Sequence, residues 1–494
     1  MNPAIFISRP ARRDSVLRFT SYYSRTVISN YIILVIFNNH QIDHDKLKYY
    51  LSVISIQTIM NSSRRDFIKT ASVLAAGSVI PMDSLLKSRS AVSANDKIQV
   101  GLIGANGMGF NDLTSFLKNP EIECVALCDI DRNVLNNRTD NLVKLGFPRP
   151  KLYVDYRKML ENKDIDVAII GTPDHWHCLI LVNALEAGKH AYVEKPIGNS
   201  IAEINIMQKA VKKHGKIVQV GQWQRSQPHF VDAINYLKSG RLGRIRTCKA
   251  WSYVDWKGAV PKVPDSPVPE GVDYDMWLGP ATKRPFNKNR FHFTFRWYWD
   301  YAGGLMTDWG VHLIDYILYG MGKSIPESVM AIGGKYAFPD DAMETPDTMT
   351  AVYDFKDFTM IWEHTIGIGL GNWQRPHGMS YIGENGTLVL DRNGWEVVPE
   401  KSRIEALPVQ KNVGVGLDIH TKNFLDCLKN NTPQKLNAGI NIGRDVALVA
   451  QMGNIAFRTG EKVYWDDARQ SFKTAAPNKL IVPEYHNGWT LPKY

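Results

Sequence analysis

KIQVGLIGANGMGFNDLTSFLKNPEIECVALCDIDR, residues Lys97 to Arg132, reads as strand, glycine turn, helix, second strand and acidic tip. The apolar run Ile98 to Ile103 has the length and branching of a buried parallel strand. Gly-Ala-Asn-Gly-Met-Gly follows directly, and Leu113, Phe116 and Leu117 then recur at helical spacing. Such a turn lets backbone N–H groups and a helix N-terminus meet a pyrophosphate, which makes Gly104, Asn106, Gly107, Met108 and Gly109 candidate dinucleotide contacts. A second buried strand, Cys124 to Cys128, ends at Asp129, twenty-five residues after Gly104, where a carboxylate can accept hydrogen bonds from an adenosine ribose. Asn106 replaces the second glycine of a GxGxxG pattern; asparagine tolerates positive φ, so the turn is expected to survive, with the side chain crowding the pyrophosphate. The bland alternative, a purely structural turn, is weakened by the strand before it and the acid after it. Asp129 favours NAD, because a carboxylate repels a 2′-phosphate, while nearby Arg132 softens that repulsion and leaves NADP open.

Working outward, 494 residues allow two or three domains, and 44% hydrophobic with 22% charged residues is an ordinary globular composition. The net charge of +10 invites a nucleic-acid reading, but residues 1 to 94 carry +7 of it and no basic run follows, so no nucleic-acid partner is expected. Five cysteines, an odd number without metal-type spacing, read as reduced packing residues.

Residues 1 to 59 resemble no domain, and their apolar run Tyr31 to Phe37 is too short to span a bilayer. A start codon placed too early is the expectation. Met60 then opens a stretch that resembles a twin-arginine export signal, with Ser63, Arg64, Arg65, Phe67 and Lys69 in the S-R-R-x-F-x-K pattern and the apolar run Ala71 to Ile80 behind it. Cleavage before about Asn95 is expected, giving a periplasmic protein with no membrane anchor and with the export machinery as a transient partner. That route carries folded proteins, so the cofactor is expected to be loaded beforehand and tightly held.

After Leu152 strands and helices alternate. The strand Asp166 to Ile170 ends at TPDHWH, Thr172 to His177; a helix from Cys178 stops at Gly188; the strand His190 to Val193 delivers Glu194-Lys195-Pro196; and a helix Ile201 to His214 leads into the strand Ile217 to Gly221. This alternation predicts a doubly wound parallel sheet over 95–223, with ligands at the carboxyl ends of its strands. The glycine turn, TPDHWH, VEKP, VGQWQR and GGLMTDWGVH, in this order, resemble the Gfo/Idh/MocA oxidoreductase family from about Lys97 to the C-terminus.

The remainder, 224–494, shows strand-like runs instead: Ile245 to Tyr253, Ser328 to Gly334, Thr348 to Phe355, Thr359 to Thr365 and Met379 to Ile382. They predict an α/β domain with a mostly antiparallel open sheet, closed by helical segments Thr421 to Asn430 and Arg444 to Arg458. The resemblance implies the same sheet, one face on the cofactor cleft and the other used for assembly as a dimer or tetramer.

Lys195, at a strand end before proline, can hold a substrate hydroxyl and favour its alkoxide, although an exposed lysine after a strand is often just a surface group. Asp308 and His312 follow Gly303-Gly304 at a spacing that puts both on one helix face, where the carboxylate can orient and stabilise the imidazole in proton transfer. An ordinary i, i+4 helix pair is the bland alternative, and a metal site of Asp308, His312, His175 and His177 a third reading that lacks a further ligand set, so no metal is expected.

The resemblance implies His312 as general base, Lys195 and Asp308 as polarising and orienting partners, and Thr172, Pro173, His175 and Glu194 as nicotinamide-side contacts. His177 is placed with these, its role in contact or packing left open. Arg225, Trp251, Tyr253, Trp256 and Trp297 are the expected substrate contacts, aromatic faces beside polar groups suiting a sugar ring. The leading reading is hydride transfer between a sugar or cyclitol hydroxyl and a tightly held nicotinamide cofactor. A glycosidase that oxidises transiently comes second, because an HGLGP-type stretch is replaced by Phe291 to Gly304; a non-catalytic sugar-binding protein comes third.

Overall fold

A computed structural model describes residues 97–494. The readings of 1–59 as non-native and 60–94 as an export signal lie outside the described residues.

Six strands, β1 (Ile98–Ile103), β2 (Ile122–Cys128), β3 (Lys151–Tyr153), β4 (Val167–Ile170), β5 (His190–Val193) and β6 (Val218–Val220), form a parallel sheet in the order β3-β2-β1-β4-β5-β6. The order reverses between β1 and β4, so their carboxyl ends open a crevice where a ligand can enter. Helices cover both faces, and β4 is buried along its whole length, as a sheet covered on both sides demands. The helix Ile201–His214 starts at a reciprocal cap, Ser200 Oγ receiving the Glu203 N–H at 3.3 Å while the Glu203 carboxylate accepts from Ser200 Oγ at 2.9 Å, and it ends at Gly215 with φ +62°.

Ten strands build the second sheet: β7 (Ile245–Val254), β8 (Ser328–Gly334), β9 (Thr348–Asp354), β10 (Thr359–Ile366), β11 (His377–Gly383), β12 (Gly386–Leu390), β13 (Gly394–Pro399), β14 (Leu407–Lys411), β15 (Val463–Asp466) and β16 (Ser471–Phe472). Their order is β14-β13-β12-β11-β7-β10-β9-β8-β15-β16, antiparallel except where β7 pairs with β10. Buried and half-buried residues alternate along β9 and β10, as expected of a sheet packed on one side. Packed against it are the helices Val311–Met321 and Ile440–Thr459.

The late helices begin earlier than their sequence pattern suggests, at Gly416 and Ile440. The Gly416–Lys429 helix also belongs spatially to the first layer: Phe424 meets Phe116 edge-on at 5.8 Å, and Asp418 accepts from Ser115 Oγ at 2.8 Å. All five cysteines are buried and free.

Candidate active site

At the crevice, β1 ends in Gly104 with φ +85°, and Gly107 adopts φ +50°. Asn106 does not take up positive φ; at φ −100° it is the N-cap of the Gly107–Phe116 helix, its Oδ1 accepting the Gly107 N–H at 2.9 Å and an Arg138 Nη2 bond at 2.8 Å. Gly109 serves packing rather than ligand contact, since a Cβ there would lie 2.2 Å from the Gly104 carbonyl oxygen. Gly107 faces open space, with no atom within 4 Å of where a Cβ would lie. Asp129 accepts the Ala105 N–H at 2.8 Å and the Asp131 N–H at 3.0 Å, and burial pushes its carboxyl up to about 6.

From this turn a cleft of about 660 Å³ runs toward the second domain, lined by Gly104, Asn106, Gly107, Met108 and Asp129 at one end and by Lys195, Asp308 and His312 at the other. Thr172, Pro173 and Glu194 line it between. Lys195 Nζ donates to Asp308 Oδ1 at 2.7 Å and to the Asp308 carbonyl at 3.0 Å. Arg296 Nε approaches the other carboxylate oxygen at 3.4 Å. Burial alone would raise the Asp308 carboxyl; the two cations reverse this and hold it well below its ordinary value. Burial, reinforced by Lys195 and Arg392, keeps His312 far below the usual imidazole range, so it is neutral and able to accept a proton. Its Nδ1 is buried with no protein partner among the described residues.

Asp308 and His312 are joined differently from the expected helix pair. Met306–Gly310 forms a π-helical turn before the regular helix Val311–Met321, and both side chains still enter the cleft. Glu194 is raised to about 7 and Asp174 to about 8, in each case by burial against the opposing pull of Lys195. Gly221 makes room for Glu194, whose Oε1 would lie 2.0 Å from a Cβ at that position.

Several expected contacts are corrected. His175 turns away, its Nε2 on the Trp277 carbonyl at 3.1 Å, and burial lowers it to about 4. His177 lies between the carbonyls of Pro196, at 2.7 Å, and Thr172, at 2.8 Å, so it positions the Thr172 and Lys195 loops instead of touching a ligand. Arg132 is exposed and outside the main cleft, its backbone N–H on Gly271.

Arg225 is consumed by a buried ion pair with Asp315, at 2.6 Å, and by the Tyr319 ring. Strand alternation explains Trp251 and Tyr253: they sit on the opposite face of β7 from Cys248, Ala250 and Ser252, Trp251 donating to the Arg375 carbonyl and Tyr253 to Glu363. Trp297 is wholly buried in the core beneath the loop, with the Lys257 ammonium over its ring. Trp256 is exposed against Phe293, outside the cleft lining.

In their place the cleft gathers Trp176, Trp223, Arg296, Trp309 and Arg392. Trp176, Trp223 and Trp309 lie within TPDHWH, VGQWQR and GGLMTDWGVH, so those stretches contained a signal. For Arg296 and Arg392 the sequence offered none.

Backbone N–H groups at a helix start, Gly107 open to an approaching group, an orphaned buried Thr172 hydroxyl and the Asp129 carboxylate fit a dinucleotide. Fold and cleft together define a two-domain oxidoreductase, a Rossmann sheet with a second α/β domain closing over its carboxyl edge. Residues 98–222 match the family model described as "Oxidoreductase family, NAD-binding Rossmann fold", and 242–491 match its C-terminal alpha/beta domain. The chain belongs to the Gfo/Idh/MocA oxidoreductase family, and its first domain is the NAD-binding one.

A glycosyl hydrolase family 109 protein of Shewanella baltica is 33% identical over 162 residues, 29% of this chain and 35% of that protein. An alpha-N-acetylgalactosaminidase of Shewanella oneidensis is 31% identical over the same length. The chain thus spans about a third of the length of the curated relatives it matches. Among solved structures, levoglucosan dehydrogenase in complex with NADH and levoglucosan shares 19% identity with a TM-score of 0.56, covering 74% of this chain and 99% of that one. The WlbA dehydrogenase from Bordetella pertussis, in complex with NADH and UDP-GlcNAcA, shares 17% with a TM-score of 0.55, covering 75% and 99%. At those identities the likeness is one of fold.

Proposed function

We propose that the chain oxidises or reduces a sugar or cyclitol at a CH–OH group, exchanging hydride with a tightly held nicotinamide cofactor. The carrying observation is the Lys195–Asp308 pair at 2.7 Å beside neutral, buried His312, in one cleft with the glycine turn. The nicotinamide ring supplies the hydride acceptor when bound. Lys195 holds the substrate oxygen and favours its alkoxide; the neutral His312 imidazole takes the hydroxyl proton, and the resulting imidazolium is stabilised by Asp308. Arg138, beside Asn106, adds positive charge near the turn that would hold the pyrophosphate.

The test is to denature purified protein expressed from Met60, weigh the released small molecules, and follow reduced-nicotinamide absorbance of intact protein with a panel of sugars and glycosides. Stoichiometric dinucleotide and a lasting, sugar-dependent rise are expected; absence of any dinucleotide binding would overturn the reading. The glycosyl hydrolase and alpha-N-acetylgalactosaminidase relatives favour a second reading, transient oxidation of a ring hydroxyl, elimination of the aglycone and re-reduction. Aglycone release without lasting absorbance change would select it.

The Ser63-Arg64-Arg65 stretch supports twin-arginine export to the periplasm, checked by N-terminal sequencing of exported material. Exposed Met330 and Ile332 on β8 support a homo-oligomer, checked by sedimentation.

A further inference from the structure

The tight turn Asp391-Arg392-Asn393-Gly394 between β12 and β13 presents a cation at the substrate end of the cleft. Asp391 Oδ1 accepts the N–H groups of Asn393 at 2.7 Å and Gly394 at 3.0 Å, and its other oxygen faces Arg375 at 3.3 Å. The acid next in sequence is therefore committed to the turn and to another arginine. Arg392 itself lines the cleft with Lys195, Asp308 and His312.

Its guanidinium is held by neutral groups. Nε and Nη2 both donate to Gln224 Oε1, at 3.1 and 3.0 Å. The plane lies over Trp309 at 4.6 Å and Trp223 at 5.2 Å, and the Trp223 ring is 6.4 Å from that of His312. Among the described residues no carboxylate lies within ion-pair distance of Arg392, and Asp308, the acid whose charge reaches it, is already shared by Lys195 and Arg296. Arg392 is half-buried, and withdrawing even part of a guanidinium from water without an anion is costly, which makes an unpaired one in a cleft a ligand signal. Gln224 occupies the Nε/Nη2 edge, so the Nη1/Nη2 edge remains, a fork whose geometry matches a planar carboxylate.

The charge count agrees. Lys195, Arg296 and Arg392 are three cations around one firmly ionised acid, Asp308, since burial raises Glu194 to about 7 and Asp174 to about 8. We infer that the substrate is an acidic sugar whose carboxylate is bound by the free edge of Arg392 while its reacting hydroxyl lies between Lys195 and His312. This rests on the oxidoreductase reading above for the hydroxyl; the carboxylate subsite stands on Arg392, Trp223 and Trp309.

The experiment titrates dinucleotide-loaded protein calorimetrically with D-glucuronate, D-galacturonate, their methyl esters, D-glucose, D-galactose, glucose 6-phosphate and glucose 6-sulfate, and follows nicotinamide absorbance in parallel. At least one uronate is expected to bind about 30-fold or more tightly than its ester and parent aldose, as loss of a buried charge partner implies. Arg392→Met is expected to abolish that preference, and Arg392→Lys, which keeps charge without the fork, to restore only part of it. A fold check by circular dichroism accompanies both variants. Equal binding of esters and free acids, unchanged preference in Arg392→Met, or selection of the phosphate or sulfate over both uronates would each overturn the proposal. Arg392-dependent uronate binding without absorbance change would leave the subsite standing and sink the dehydrogenase reading; oxidation of neutral sugars unaffected by Arg392→Met would do the reverse.

Discussion

Lys195 and Asp308, 113 residues apart, meet through a 2.7 Å bond between Nζ and Oδ1, with a second bond to the Asp308 carbonyl. One residue lies two positions beyond a strand of the first domain and the other in a π-helical turn of the second. The pair therefore forms only when the two domains close on each other, and the chemistry is assembled at their junction.

Lys195→Met and Asp308→Asn should each lower kcat by about 100-fold or more while dinucleotide stays bound, because they remove the group that polarises the hydroxyl and the one that orients it. Steady-state rates together with the mass of released dinucleotide check this. Unchanged turnover in either variant would remove that residue from the mechanism.

His312 must be unprotonated to accept a proton, and its pKa in the folded protein is lowered below 6.5. The acid limb that His312 sets in the kcat/KM profile should then fall below pH 6.5, and His312→Asn should abolish turnover. The same depression means the unfolded chain binds the proton more readily. His312 thus contributes stability fully above its unfolded value near 6.5, and that contribution is lost as pH falls. A limb at or above 6.5 would exclude His312 as the base.

The alternation of strands and helices made the first sheet legible, because buried parallel strands write themselves as short apolar runs between amphipathic segments. Five strands of the second sheet, β7 to β11, were legible to within a residue or two, whereas the shorter β12 to β16 were not read. Lys195, Asp308 and His312 could be read because each lies in a dense local motif. The substrate-side aromatics could not: Trp251 and Trp297 are polar-tipped hydrophobes whose indole can equally face a sugar or a core, and strand parity decided it for Trp251 while the helical turn His292–Trp297 buried Trp297. Arg225 failed similarly, since its partner Asp315 is 90 residues away. Arg392 was invisible because its role depends on which acids around it are already taken.

The glycine turn separates two kinds of glycine. Gly109→Ala places a methyl 2.2 Å from the Gly104 carbonyl oxygen and should destabilise the protein by about 1–3 kcal/mol while abolishing dinucleotide retention. Gly107→Ala meets no atom within 4 Å and should cost only its positive φ, about 1–2 kcal/mol, with weaker retention. Thermal melts and retained dinucleotide for both variants check the order; retention unchanged in Gly109→Ala but lost in Gly107→Ala would mean that the turn's conformation matters and the helix-to-strand approach does not.

The C-terminal tail reaches the cleft from behind. Trp489 meets Trp176 edge-on at 4.9 Å, and Trp176 lines the cleft while donating to the Trp277 carbonyl at 3.0 Å. Tail bonds from the His486 N–H to the Pro280 carbonyl and from Asn487 Nδ2 to the Gly279 and Ala281 carbonyls fix Trp489 in place. Gly279 cannot bear a side chain, since its Cβ would lie 2.1 Å from the Trp176 ring, so Trp176 is held on both sides. Trp489→Ala should cost about 2 kcal/mol, combining lost apolar contact with an aromatic pair of about 1 kcal/mol. Because Trp176 then has room to swing, dinucleotide should dissociate faster, whereas kcat should change little, none of the proton-handling groups being touched. Trp489→Phe should restore most of both. A lower melting temperature with an unchanged dissociation rate would confine the tail to a supporting role in the fold.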